Sequence, residues 1–333
     1  MPDPTRDAGA ASRRWSRRAL LGGLAVVTAG CALSDPAVRG PGGRTSPLPT
    51  PTPTPFAPGL DRALAAETAL AAGARALLAD AGATEERRRN LLALLQRTHE
   101  ERAAALAAAD PTARPTAGPD SSPGPHPATA TTEGLADGER DAARRHRTAA
   151  LAASGPAALL WGSMAVASSA FGDALGADVA PASAAVAEHR PLSRLSDMDA
   201  VSALVASLHA VVWGYQLALG RLPVSGAAHD RAAAGLAGRR ALQDRLVDQL
   251  LRAGVEVPPA APAYDPDPEV RDADDAALLI RRMETRLLPF CGLWLAAAGS
   301  LGDRTLALDT LGSTLRSATT WGAPLPAWPG YPE

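Results

Sequence analysis

The sequence contains no lysine, one isoleucine and one asparagine, and aromatic residues make up only 4% of its 333 positions. Strands favour β-branched and aromatic side chains, whereas alanine, leucine and arginine favour helices. The scarcity of the first group beside an abundance of the second argues against an all-β fold. Hydrophobic residues still reach 46%, which is enough for a packed core.

Several function classes are excluded by what is missing. The net charge of −2 offers no positive field for nucleic acid. Without lysine there is no Gly-x-x-x-x-Gly-Lys phosphate loop, and no Gly-x-Ser-x-Gly nucleophile elbow occurs. We therefore predict no nucleic-acid partner and no catalytic residue of these kinds.

Metal chemistry is also disfavoured. A di-iron helical bundle needs Glu-x-x-His, because that spacing points both side chains at the same metal. None of the six histidines has a glutamate three residues before it. Two cysteines, Cys31 and Cys291, are too few for a cysteine-rich zinc or iron–sulfur site. We predict no metal ligand and no cofactor; enzymatic activity is left open, and a protein that is not an enzyme is favoured.

The N-terminus has the pattern of an export signal. Residues 12–18 are basic, an apolar run of about a dozen residues follows, and Thr28-Ala29-Gly30 precedes Cys31. The run is too short to span a bilayer and fits a cleaved signal peptide over residues 1–30. The segment with Arg17 and Arg18 resembles the twin-arginine export motif, and residues 28–31 resemble a lipobox. The resemblance implies a covalent lipid on Cys31, although the lipobox leucine is replaced by Thr28; ordinary cleavage nearby is the alternative.

Two tracts rich in proline, threonine, glycine and serine interrupt the chain, at residues 31–59 and 111–132. Such tracts cannot build a core and favour extended or disordered conformations. We interpret residues 31–59 as a linker that holds the folded part away from a membrane. Residues 111–132 are predicted to be a disordered loop.

The remaining chain predicts helices throughout. We place eight of them, over residues 60–80, 84–109, 134–154, 156–176, 197–221, 226–253, 272–299 and 302–321. No segment alternates like a strand. Apolar runs at 156–171 and 203–219 are interpreted as buried bundle helices rather than membrane spans.

These helices divide into two sets of four. Residues 143–148 in the third helix are similar to residues 280–285 in the seventh, and each set has a long second helix before a proline-rich break. A duplicated four-helix bundle explains this arrangement, with chance similarity as the alternative. The predicted fold is all-α, with an N-terminal bundle over 60–176 and a C-terminal bundle over 197–321.

The C-terminal part resembles a known family. The resemblance rests on residues 206–215, Asp244-Arg245-Leu246 with Gly254, the loop from Pro258 to Tyr264, Glu284 and Trp321. Residues 197–321 resemble the actinobacterial DUF4439 family, a ferritin-like domain of exported lipoproteins. The resemblance implies a ferritin-like fold and no defined activity. The chain departs from the family pattern at Leu208, where the family has Glu before His, and at Arg239, where it has His.

Polar residues nevertheless fall on the apolar stripes that should face the bundle cores. The stripes step by three and four residues, and they place five polar side chains inside: Glu67, His99, Arg102, Arg239 and Glu284. A buried carboxylate needs a cationic partner. We predict buried Glu–Arg pairs, such as Glu67 with Arg102, that fix helix register. A metal site at Glu67 and His99 and a polar ligand pocket are the alternatives.

Together these patterns predict an exported lipoprotein anchored on the extracytoplasmic face of the cell membrane. Its ferritin-like scaffold would have a non-catalytic binding or structural role in the cell envelope. The alternative is a metal-binding or redox enzyme with a non-standard site in the N-terminal bundle. Membrane lipid is the expected partner through the anchor, beside an unidentified envelope protein or ligand, and the sequence leaves a homodimer open.

Overall fold

Eight α-helices account for most of the described chain, which comprises residues 59–80, 86–108, 131–177, 196–266 and 269–331 of a computed structural model. They are α1 (Leu60–Asp80), α2 (Glu86–Ala107), α3 (Thr132–Ala152), α4 (Gly155–Ala177), α5 (Asp197–Leu219), α6 (Ala227–Arg252), α7 (Ala273–Ala297) and α8 (Leu301–Thr320). No strand occurs in these ranges. The all-helical fold is confirmed, and the predicted helix bounds are correct to within two residues.

The predicted export signal, with Arg17, Arg18 and Cys31, lies outside the described residues. So do the linker 31–59 except for Gly59, and the loop 111–132 except for Thr131 and Thr132.

Side-chain caps set where several helices begin. The Ser196, Asp272 and Ser300 side chains accept hydrogen bonds from the backbone N–H three residues later, at the starts of α5, α7 and α8. Gly155, the first residue of α4, has a φ of 61°, a left-handed conformation that glycine adopts without strain. The chain can therefore reverse there and pack α3 along α4.

The two sets of helices share one order of packing. In the first set α1 packs on α2 and α3, and α3 packs on α4. In the second set α5 packs on α6 and α7, and α7 packs on α8. This is the arrangement that a duplication would produce. Helices of both sets lie in one compact unit, residues 54–333, so the division at 176/197 stays a prediction.

Helix α4 joins the two sets. It contacts α3 on one side and α7 and α8 on the other. It is apolar around most of its circumference, as expected for a helix enclosed by others. Helices α4 and α5 are both long and apolar enough to cross a membrane, but 78% of the α4 window is buried inside the protein, against 44% for α5. The burial of α4 agrees with its interpretation as a core helix.

The segment after α8, residues 321–331, packs back across the protein, and we call it the C-terminal tail. Leu325 joins the apolar cluster of the first helix set, whereas Trp328 joins the larger cluster that spans both sets. Gly330, with φ of 93°, lies against Gly292 of α7 so closely that a Cβ on Gly292 would overlap the Gly330 carbonyl. The folded part predicted from sequence ends at residue 321, so the packing of the tail is an addition to that prediction.

Candidate functional site

The core of the first helix set contains a closed group of polar side chains, which we call the His–Glu cluster. Its members come from three helices and are at most 2% exposed: Glu67, His99, Arg102, Glu139 and His146. Glu67 of α1 is at the centre. Its Oε2 accepts from His99 Nδ1 at 2.6 Å, and its Oε1 accepts from His146 Nε2 at 2.8 Å.

His99 is held between two carboxylates. While Nδ1 donates to Glu67, Nε2 donates to Glu139 Oε1 at 2.5 Å. Both ring nitrogens can donate only when the imidazole is protonated. Burial alone would lower the pKa of His99, but the negative charges and hydrogen bonds of Glu139 and Glu67 outweigh it and raise this pKa to about 9. His99 is therefore a buried cation at neutral pH.

The charges within the cluster balance. Burial alone would raise the pKa of Glu67, yet the His99 charge, the hydrogen bonds from both histidines and the nearby Arg102 hold it well below its usual range. Two carboxylates thus face one imidazolium and one guanidinium. This pairing offsets much of the cost of placing charges in the core.

Arg102 is close to Glu67 but is not its main partner. Its Nη1 lies 3.8 Å from Glu67 Oε2. The guanidinium donates instead to Ser168 Oγ at 3.0 Å and to the Ala327 carbonyl at 3.1 Å. It also lies 5.6 Å from the centre of the Phe171 ring and 5.8 Å from that of Trp328. The predicted Glu67–Arg102 ion pair is therefore present, but the two histidines donate the hydrogen bonds to the carboxylate, and Arg102 donates its own towards α4 and the C-terminal tail.

Aromatic rings close the cluster off from solvent. The Trp161 ring stacks on His146 at 5.5 Å between centroids, and the Phe171 ring meets His99 edge-on at 6.3 Å. Trp161 and Phe171 are themselves no more than 2% exposed. Within the described residues, the charges of the His–Glu cluster therefore contact one another and these rings rather than solvent.

Glu139 and His146 were not among the residues predicted from sequence. Both lie on the buried face of α3, with Leu135, Ala142 and Ala150. These positions step by three and four residues, which is the spacing that marks Glu67 on α1. The spacing along the third helix therefore already indicates, in the sequence, that Glu139 and His146 face the core.

The other two predicted residues meet in the second helix set, away from the first three. Arg239 of α6 donates to both Glu284 oxygens, from Nε to Oε1 at 3.0 Å and from Nη2 to Oε2. Tyr215 Oη also donates to Glu284 Oε1, at 2.6 Å. Burial and then the Glu284 charge raise the pKa of Tyr215. Burial alone would lower the pKa of Arg239, but the charge and hydrogen bond of Glu284, with smaller effects of Cys291 and Tyr215, together raise it. We call these three residues the Glu284 cluster; it is the kind of Glu–Arg pair that the sequence predicts.

The two clusters follow one plan. Each places a glutamate on the third helix of its set, Glu139 or Glu284, against a cation on the second helix, His99 or Arg239. Seven residues after that glutamate comes another buried side chain, His146 or Cys291. Burial raises the pKa of the Cys291 thiol to about 11, so this cysteine is a packing residue rather than a nucleophile. No three His, Cys, Asp or Glu side chains in the described ranges form a geometry that could hold a metal ion.

His209 of α5 contacts the loop that follows α6. Its Nε2 lies 3.0 Å from the Pro258 carbonyl, and its Nδ1 lies 2.7 Å from Gln243 Nε2. Trp213, one turn further along α5, packs on Tyr264 of the same loop at 5.5 Å between ring centroids. These contacts fix the loop to α5, which is a structural role.

The pH dependence of stability should report the His99 charge. Its pKa in the folded protein, about 9, exceeds the ordinary value of 6.5, so the folded state binds the proton more tightly. This stabilisation is complete below pH 6.5 and disappears as the pH rises through 9; at ~1.4 kcal/mol per pKa unit it amounts to about 3 kcal/mol. Glu67 has the opposite pH dependence. Because its pKa is lowered in the folded protein, its charge stabilises the fold above pH 4.5, and this stabilisation is lost as the pH falls below 4.5.

Denaturant titrations between pH 6.5 and 9.5 measure this loss. His229→Gln, which removes a histidine outside both clusters, should retain the full pH slope. A wild-type free energy of unfolding that stays constant over this range would show that His99 is not a buried cation.

Comparison with known proteins finds a similarity in the second helix set. Residues 200–333 match the model of the family described as "Domain of unknown function (DUF4439)". A solved structure of a conserved hypothetical protein, rv2844, from Mycobacterium tuberculosis is 29% identical, covering 38% of this chain and 93% of that one with a TM-score of 0.36. No curated protein matches the chain.

Proposed function

We propose that this protein is an exported lipoprotein whose helical body has a non-catalytic binding or structural role at the outer face of the cytoplasmic membrane. The signal-like N-terminus and Cys31 support export and anchoring. The proline- and threonine-rich residues 31–59 supply a linker between anchor and body.

One observation carries the non-catalytic part of the proposal. His99, the residue best suited to acid–base or metal chemistry, has both ring nitrogens occupied by carboxylates in a fully buried site. A general base must reach a substrate proton, and a metal-binding histidine must be neutral. Neither condition is met in the His–Glu cluster, whereas the charge pairing suits a fixed internal support between α1, α2 and α3.

A metal-binding function is the second candidate, and one observation favours it. Glu139 Oε2 is buried and has no hydrogen-bond partner among the described residues. The described His and Glu side chains are not placed to hold a metal ion as they stand, so Glu67, His99 and His146 would have to move to bind one. His99 would then give up its proton, and Glu139 would orient the His99 ring, as carboxylates do in metal sites. The nearby Arg102 charge opposes such an ion.

Metal analysis of the full chain, purified in detergent without chelator, separates the two functions. The non-catalytic role predicts substoichiometric iron, manganese and zinc, and an unchanged melting temperature when each metal is added. Stoichiometric metal that is lost in both Glu67→Ala and His99→Ala, but retained in His229→Gln, would overturn the proposal. Metal that binds only the folded state would also raise the melting temperature.

The anchor is tested by replacing its attachment point. Cys31→Ala should move the protein from the detergent phase to the aqueous phase, or leave its signal peptide uncleaved, because lipidation requires the thiol and stable retention requires more than one acyl signal. Cys291→Ala is the matched control and should remain in the detergent phase. A wild-type protein that partitions into water would contradict anchoring. Arg17→Gln with Arg18→Gln should block export if the twin-arginine route is used.

A further inference from the structure

An open groove of about 480 Å³ lies between α3, α4 and α8, on the outside of the seam between the two helix sets. Its rim carries four arginines, and we call it the arginine groove. Three of them, Arg140, Arg144 and Arg147, follow one face of α3, and Arg316 faces them from α8. The volume is within the range of small-molecule sites, about 300–1,000 Å³.

Each of the three arginines on α3 pairs with an aspartate but keeps further N–H donors. Arg140 and Arg144 each pair through one nitrogen with an aspartate one turn earlier, and Arg147 pairs with Asp309 of α8 at 2.8 Å. A guanidinium has five N–H donors, so each retains several for a ligand. The exposed pairs on α3 hold their arginines weakly, at ~0.2–1 kcal/mol each, and do not prevent them from binding a stronger acceptor.

Glycines on the neighbouring helix make room for one of these side chains. A Cβ on Gly172 would come within 3.2 Å of Arg140 Cγ, and a Cβ on Gly176 within 3.3 Å of its Nη2. The Arg140 side chain therefore lies along α4 where larger residues would displace it. The glycines of α4 therefore leave the space that the Arg140 side chain occupies at the edge of the groove.

The charges and the floor of the groove define the ligand. The lining has four guanidinium groups and two carboxylates, Asp173 and Asp309. Asp137 and Asp141, which pair with Arg140 and Arg144, are not part of the lining, so the excess of two positive charges belongs to the lining alone. A phosphate monoester carries about −1.5 to −2 at neutral pH, and its oxygens match the arginine fork. Between the charges the floor is small and mostly apolar, formed by Ala143, Ala165, Val166, Ala170 and Gly312.

We infer that the arginine groove binds a phosphate monoester whose remaining part is small and apolar. The guanidinium groups hold the phosphate, and the alanine-rich floor covers the apolar part. Such a phosphate can belong to a soluble ester or to the headgroup of a lipid. The inference rests on the geometry of the groove and not on the proposed anchoring.

Calorimetric titration of the full chain in non-ionic detergent tests this, with butyl phosphate and inorganic phosphate as probes. Butyl phosphate should bind roughly tenfold more tightly than inorganic phosphate, because only the ester reaches the floor. Dihexanoyl phosphatidic acid, added as a third probe, distinguishes the source. Tighter binding than butyl phosphate identifies a lipid headgroup, weaker binding identifies a soluble ester, and either supports the site.

A matched pair of variants locates the binding. Arg144→Gln with Arg316→Gln should weaken butyl phosphate binding at least roughly tenfold, since both groove walls lose a donor. Arg240→Gln with Arg245→Gln removes the same charge from the exposed face of α6 and should leave the affinity unchanged. Equal loss in both double variants, equal affinity for inorganic and butyl phosphate, or no binding of butyl phosphate would each overturn the inference.

Discussion

Replacing Glu67 by alanine is expected to lower the free energy of unfolding by about 3–5 kcal/mol, because it leaves buried cations without their counter-charge. The carboxylate is the shared acceptor of His99 and His146 and lies 3.8 Å from Arg102. Its removal takes two hydrogen bonds and one negative charge from a site that solvent does not reach. Urea denaturation at pH 7 measures the change.

Two further substitutions provide comparisons for the effect of Glu67→Ala on the free energy of unfolding. Glu67→Gln keeps the shape and part of the hydrogen bonding, so it should cost less than Glu67→Ala. Glu100→Ala removes a carboxylate that pairs with Arg75 at the half-exposed surface of the same helix set, and it should cost less than ~1 kcal/mol. Equal small effects of Glu67→Ala and Glu100→Ala would show that the His–Glu cluster does not support the fold.

Replacing Trp328 by alanine should also cost about 3–5 kcal/mol, the usual effect of emptying a buried aromatic site. The Trp328 side chain is 3% exposed, and its Nε1 donates to Glu101 Oε1 at 2.9 Å. Its ring lies 5.8 Å from the Arg102 guanidinium, so the substitution also opens the cover of the His–Glu cluster. Thermal and urea denaturation of the purified variant report the loss.

A shortened chain extends the test to the whole tail. Ending the protein after Gly322 removes the Ala327 carbonyl as well as Trp328, and we expect a larger loss than from Trp328→Ala alone. Trp213→Ala, at a half-buried tryptophan on α5, is the matched control and should cost less than Trp328→Ala. A shortened chain as stable as the full one would show that the tail only rests on the surface.

The helices were predictable because each is encoded locally. Caps such as Ser196 and breaks such as Gly155 act within a few residues, and apolar stripes of period 3.6 mark the buried faces. The spacing along α1 and α7 is by itself enough to place Glu67 and Glu284 in the interior. Local sequence patterns are therefore sufficient to predict both the fold class and the burial of Glu67 and Glu284.

The full set of partners of Glu67 was not predictable, because it depends on how separate helices rotate against one another. Nothing near Glu67 in the sequence distinguishes His99 and His146 from Arg102 as its partner, since all three are compatible with inward-facing stripes. The C-terminal tail was missed for a related reason. Its proline-rich residues resemble a linker, and only the tertiary structure shows Leu325 and Trp328 in the core.

The contact between Arg102 and Ala327 also has a consequence for the order in which the chain matures. The two residues are 225 positions apart in sequence, so Arg102 is synthesised long before its acceptor. Until Ala327 and Trp328 have been synthesised, the first four helices can associate, but the Arg102 guanidinium lacks its carbonyl acceptor and the Trp328 ring. Completion of the N-terminal core must therefore wait for the C-terminal tail to pack, so the last step of its folding joins segments that are far apart in sequence.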